Sequence, residues 1–172
     1  DARRRKLAEA AGEQILKLLA GNIRPRDIVN QDSFHNAFTV DMALGGSTNS
    51  VLHLAAIAHE AGVDFPLARI NEISAHTPQL CYLRPAGNYH IEDLDRAGGI
   101  IAVMKELKGL LKLEAKTVSM KSVAGIIARA RVTDKEVIRS RNHPYAAVGG
   151  LAILFGNLAP EGAVVKRSAV AP

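Results

Sequence analysis

Asp41-Met42-Ala43-Leu44-Gly45-Gly46-Ser47-Thr48-Asn49-Ser50-Val51-Leu52-His53-Leu54 joins two helical patterns through a double glycine. On its N-terminal side Phe34, Phe38 and Met42 recur at helical spacing, and Asp32 stands where it can cap their helix. On its C-terminal side Ser47, Thr48 and Asn49 are all capping residue types. They precede the apolar positions Val51, Leu52, Leu54, Ala55 and Ala58, with Gly62 as the stop. A helix entered in this way offers free N–H groups and the positive end of its dipole, which suit a carboxylate or a phosphate. The glycines let a ligand approach the backbone closely. The same residues serve equally for a tight helix–helix turn with an ordinary cap, so both readings stand at this point.

Toward the N-terminus, residues 2–20 also repeat at helical spacing, with Leu7, Ala11, Ile15, Leu18 and Leu19 on one face and Gly21 and Pro25 ending the pattern. Toward the C-terminus, residues 67–73 predict a short helix after Pro66, and residues 77–88, with Pro78, Pro85 and Gly87, predict a loop. A short acidic helix follows over 91–96, then an amphipathic one over 100–111. Residues 116–120 fit a short strand and 122–130 a helix. The apolar or β-branched runs 148–155 and 162–166 predict strands, with Gly149, Gly150, Gly156 and Gly162 read as turn glycines. Helices thus dominate to about residue 130 and strands follow from about 145. The expected fold class is α/β, with a mostly helical domain part over residues 1–141 and the opening strands of a β-rich domain over 142–172.

Composition fits an ordinary soluble domain: 48% hydrophobic and 23% charged residues over 172 positions. Aromatics are only 4% and Trp is absent, so aliphatic side chains and Ala must fill the interior. The net charge of +5 is spread out. The one basic run, Arg3 to Lys6, lies on a helical pattern with Glu9 and Glu13 and no interleaved aromatics, so a solvated face is expected rather than a nucleic-acid surface. No apolar run has the length of a membrane helix, and none follows the basic start as in a signal peptide. A single cysteine, Cys81, excludes an internal disulfide and fits a reducing compartment, so a cytoplasmic location is expected. Asp1 opens in mid-pattern and Pro172 closes without a structural stop, so both ends read as cuts.

Other candidate chemistry is weaker. His53 and His59 share one helix but lie about 240° apart around its axis, unlike a metal pair. Glu92, Asp93 and Asp95 beside His90 could attract a divalent cation, but acidic residues at a helix start need no metal. Cys81 is most simply an inert thiol in a Pro-rich loop. No nucleophile elbow, phosphate-binding loop or dinucleotide fingerprint is present.

Four segments taken together resemble the dihydroxy-acid dehydratases. They are Asp41 to Leu54; Ile73-Ser74-Ala75-His76-Thr77-Pro78-Gln79-Leu80-Cys81; His90-Ile91-Glu92-Asp93-Leu94-Asp95-Arg96-Ala97-Gly98-Gly99; and Gly149 to Gly162 with Val165-Lys166. They follow the family's order and spacing over almost the whole chain. The sugar-acid dehydratases of the same superfamily share the Gly-Gly-Ser-Thr-Asn turn, but the fuller match is to the branched-chain enzyme.

The resemblance implies a hydro-lyase of valine and isoleucine synthesis, converting 2,3-dihydroxy-3-methylbutanoate to 3-methyl-2-oxobutanoate. It implies an N-terminal α/β domain holding an iron–sulfur cluster and Mg²⁺, a β-barrel-like C-terminal domain supplying a serine base, and a homodimer. The segments that carry the family's cluster cysteines, Mg²⁺ carboxylates and serine base do not occur in this chain. No catalytic residue and no metal ligand is therefore expected here, and the chain alone is expected to be inactive. Ser47, Thr48 and Asn49 are expected to bind substrate through the helix N-terminus. The rivals are a sugar-acid dehydratase and a non-catalytic scaffold or binding module.

Overall fold

The double glycine lies at the joint of the molecule, between α3 (Gln31–Leu44) and α4 (Thr48–Ala61). A computed structural model describes residues 2–170. Before the joint come α1 (Ala2–Ala20) and α2 (Pro25–Ile28). After it come α5 (Leu67–His76), α6 (Ile91–Arg96), α7 (Gly99–Glu106) and α8 (Val123–Ile127). The chain then forms strands β1 (Leu151–Gly156) and β2 (Ala159–Lys166) and a closing 3-10 turn, Arg167–Ala169. The order is that expected: helices first, then an antiparallel pair of strands.

Local chemistry sets the ends of α3. Asn30, not Asp32, is its N-cap: Asn30 Oδ1 accepts from the Ser33 N–H at 3.0 Å, and Ser33 Oγ accepts from the Asn30 N–H at 2.9 Å. This reciprocal pair satisfies two N–H groups at once and leaves Asp32 inside the first turn, where its charge still favours the dipole. Gly45, at φ +100°, ends the helix in the left-handed region.

Three expectations are corrected. Residues 116–120 form no strand. A single bridge, Lys116 to Ser122, closes a turn in which Thr117 Oγ1 donates to the Lys121 carbonyl at 2.8 Å and Met120 sits at φ +62°. The helix foreseen over 100–111 stops at Glu106, and that over 122–130 spans only Val123–Ile127. The shared apolar face expected for α1 is mostly uncovered: Leu18 is buried, but Leu7, Ile15 and Leu19 are 63%, 63% and 76% exposed. Periodicity reports that a face is apolar; it cannot report that a neighbour covers it.

Two cores result. The larger gathers Leu80, Leu94, Val103, Leu107, Ile127 and Ile138 around α6, α7 and α8. The smaller joins Phe38 and Met42 of α3, Val51 of α4, and Ile70 and Ile73 of α5 to Leu151 and Ile153 of β1. This second core positions the site, because it fixes the first strand beneath the α3–α4 turn. Side chains of α5 complete the docking. Asn71 accepts from the Ile153 N–H and donates to its carbonyl, both at 2.7 Å, as a neighbouring strand would. Ser74 Oγ donates to the Leu151 carbonyl at 2.7 Å.

Candidate substrate-binding cleft

Gly45 and Gly46 both have positive φ, +100° and +70°, a region L side chains rarely adopt. Space forbids a side chain as well. A Cβ on Gly46 would lie 2.4 Å from Leu151 Cγ. Gly150 lies against Gly45 backbone to backbone, so Gly149 and Gly150 are close-approach glycines rather than the turn glycines their sequence context suggested.

Ser47 is the N-cap of α4, yet its hydroxyl makes no capping bond. Thr48 and Asn49 are exposed on the first turn. The turn is braced from behind by Asp41, whose Oδ1 accepts from Ser50 Oγ at 3.1 Å while its Oδ2 is buried without a hydrogen-bond partner. Burial pushes the Asp41 carboxyl above its ordinary value; the Ser50 hydroxyl, the Ser47 backbone and the charge of Lys166 pull in the opposite direction.

The sign for stability follows. A carboxyl with a raised folded pKa holds its proton more tightly when folded than when unfolded. It therefore adds stability at acid pH that is lost as pH rises from 3.8 through the folded value. Asp41→Asn should remove this dependence and flatten the stability curve on the acid side. Urea melts across that range check it, and unchanged curvature would refute it.

Against the turn lies a cleft of about 290 Å³, lined by Gly45, Gly46 and Ser47 together with Tyr82, Arg84 and Lys166. An adjoining hollow runs along Ser47, Thr48, Pro85 and Lys166. The structure thus brings Ser47 and Thr48 to the cleft, while Asn49 lines neither hollow. Arg84 and Lys166 were missed in the sequence. Lys166 arrives by register: it pairs with Leu151 across the hairpin, so both side chains share a face, and Leu151 already packs on Gly46.

The remaining candidates lie elsewhere. His53 and His59 are exposed on α4. Asp93 Oδ2 accepts from the His90 N–H at 2.8 Å as a cap, and Asp95 faces Arg3 at 3.4 Å. Cys81 is fully buried, its thiol pushed up to about 12 by burial, the opposite of what a cluster ligand needs. Among the described residues no three His, Cys, Asp or Glu side chains gather as a metal site. These residues do not fit an iron–sulfur cluster or Mg²⁺.

Arg84 and Lys166 thus line a cleft at the N-terminal end of α4. The family model for the N-terminal domain of the dihydroxy-acid/6-phosphogluconate dehydratases matches residues 1–126, and that for the C-terminal domain matches residues 136–172. The chain belongs to the dihydroxy-acid/6-phosphogluconate dehydratase family. Proteins named dihydroxy-acid dehydratase are similar to it throughout. That of Dehalococcoides mccartyi (strain CBDB1) is 59% identical over 172 residues, covering 100% of this chain and 31% of the relative. That of Aquifex aeolicus (strain VF5) is 55% identical over 174 residues, covering the same shares. That of Caldanaerobacter subterraneus subsp. tengcongensis is 57% identical over 169 residues, covering 97% of this chain and 30% of the relative. The chain therefore spans about a third of the length of these curated relatives.

Proposed function

We propose that this chain belongs to a dihydroxy-acid dehydratase, a hydro-lyase converting 2,3-dihydroxy-3-methylbutanoate to 3-methyl-2-oxobutanoate and water, and its ethyl homologue likewise, in valine and isoleucine synthesis. The observation that carries the proposal is the 59% identity over the whole chain to a protein of that name. In the reaction C2 loses a proton, the C3 hydroxyl leaves as water, and the resulting enol becomes the 2-oxo acid.

This chain's part is to bind and orient. The first turn of α4 directs N–H groups and its dipole at the substrate carboxylate; of Ser47, Thr48 and Asn49, the first two line the cleft or its adjoining hollow and Asn49 enters the reading only as their neighbour on that turn. The proton-moving serine base, an iron–sulfur cluster and Mg²⁺ enter the proposal as belonging to the rest of a longer protein. The proposal also includes a homodimer, a cytoplasmic location and a domain division between residues 141 and 142 of this chain. No helix among the described residues is long and apolar enough to cross a membrane, and neither a membrane nor a nucleic acid is part of the reading.

Replacing Ser47, Thr48 and Asn49 together by Ala in the full-length protein should raise KM about tenfold, or about 1.4 kcal/mol, with kcat changed far less. Unchanged KM and kcat would remove these residues from the site. Turnover of gluconate or arabinonate in preference to the branched-chain diol acid would replace the reading with a sugar-acid dehydratase.

A further inference from the structure

We propose that Lys166 of β2 is the cation that seats the substrate carboxylate against the first turn of α4; the proposal rests on the dehydratase reading above. The geometry begins with register. Lys166 is paired with Leu151, and Leu151 lies on Gly46, so the strand delivers an ammonium to the mouth of the turn. Lys166 borders both the cleft and the adjoining hollow, as do Ser47 and Pro85. The backbone holds that position firmly, since the Arg167 N–H donates to the Gly150 carbonyl at 2.9 Å immediately after Lys166.

The charge balance then points to an anion. Among the described residues no carboxylate forms an ion pair with Lys166 or with a cleft-lining Arg84. The charge of Lys166 reaches one carboxylate, Asp41, which does not line the cleft and is engaged by Ser50. The lining of the cleft therefore holds two cationic side chains and no carboxylate, beside a helix N-terminus. Of the two cations Lys166 is half-buried and Arg84 exposed, so water screens Lys166 less and its attraction for an anion is the stronger. A carboxylate placed between Lys166 and the α4 N–H groups receives charge-assisted bonds from both sides, and the reacting C2 and C3 atoms are oriented by that anchor.

The test uses the full-length protein and two probes, 3-methyl-2-oxobutanoate and its primary amide, with binding titrations and steady-state kinetics. Lys166→Met should weaken binding of the acid about tenfold or more while leaving the amide unchanged, because only the acid carries the charge that Lys166 meets. KM for the diol acid should rise in step with kcat changed less than about threefold, and Lys166→Arg should restore most of the affinity. Should Lys166→Met not fold, Lys166→Gln gives the same comparison. Unchanged acid binding, or equal losses for acid and amide, would overturn the proposal, the second by showing a merely structural role. A wild-type protein that binds the acid but dehydrates no branched-chain diol acid would sink the dehydratase reading, and with it Lys166 as a substrate-seating residue. A wild-type protein that turns over normally beside an unaffected Lys166→Met variant would sink the Lys166 proposal alone.

Discussion

Gly150→Ala is expected to destabilise the protein by about 3 kcal/mol or more, at the upper end for overpacking in a folded interior. The new Cβ would stand 2.1 Å from the Gly45 carbonyl oxygen, 2.3 Å from its carbon and 2.5 Å from its Cα. These are backbone atoms, so no rotamer change relieves the clash. Nor can the strand slide. The Gly150 N–H donates to the Met42 carbonyl at 3.2 Å, the Gly149 N–H to the Ser74 carbonyl at 2.8 Å, and the Gly150 carbonyl accepts from Arg167. Relief requires lifting the start of β1 from the α3–α4 turn, which breaks these bonds and withdraws Leu151 from Gly46. Lys166 would leave the cleft with it. Gly156→Ala is the internal control: nothing lies within 4 Å of its added Cβ, and it should change stability by no more than about 0.5 kcal/mol. Urea denaturation of both variants in the full-length protein checks the pair. Equal stability of the two would mean that the backbones of Gly45 and Gly150 are not in contact.

Half of this cleft could be read from the sequence and half could not, for one reason: range. The turn from Gly45 to Thr48 is local chemistry, with glycines where φ must be positive and capping types at a helix start, and each residue carries its own signal. Lys166 carries none beyond its place in the family's fourth segment. It sits more than a hundred residues from Ser47, and only the pairing of β1 with β2, together with the docking of β1 on α5, turns it toward the turn. Gly150 shows the same limit. A Gly-Gly pair before a strand suggests a turn, while its actual constraint is a second backbone that sequence does not show. The cap of α3 failed on a finer scale, because Asn30 and Asp32 are both good caps and the reciprocal bond with Ser33 decides between them. The stripe on α1 shows the same limit from the other side. Leu7 and Ile15 have the spacing of a buried face, but burial depends on a partner and not on periodicity. The short strand foreseen around Val118 lost to a turn because no second strand stands beside it to satisfy its backbone.

Phe38→Ala should cost about 3–5 kcal/mol, the usual range for removing a buried aromatic ring. Phe38 is 1% exposed, and its ring stacks on Phe65 at 5.2 Å with the planes 13° apart. The vacated space cannot close cheaply. Phe65 is also held by Phe34 at 5.7 Å and by the Arg69 guanidinium at 5.5 Å, while Ile153 on the far side is fixed through its backbone by Asn71. A wall pinned on several sides leaves a cavity, and the cavity adds to the lost burial. The consequence reaches the cleft, because this core is where α3, α4, α5 and β1 meet, and Leu151, which carries the register of Lys166, is part of it. Leu18→Ala makes the contrast: Leu18 belongs to neither core and holds only the lightly packed α1, so it should cost about 1 kcal/mol. Urea melts of the two variants give the comparison directly. A cost below about 1 kcal/mol for Phe38→Ala would show that the helices and the hairpin are not joined by this core. The placement of Lys166 beside the α4 N-terminus would then lose its physical cause.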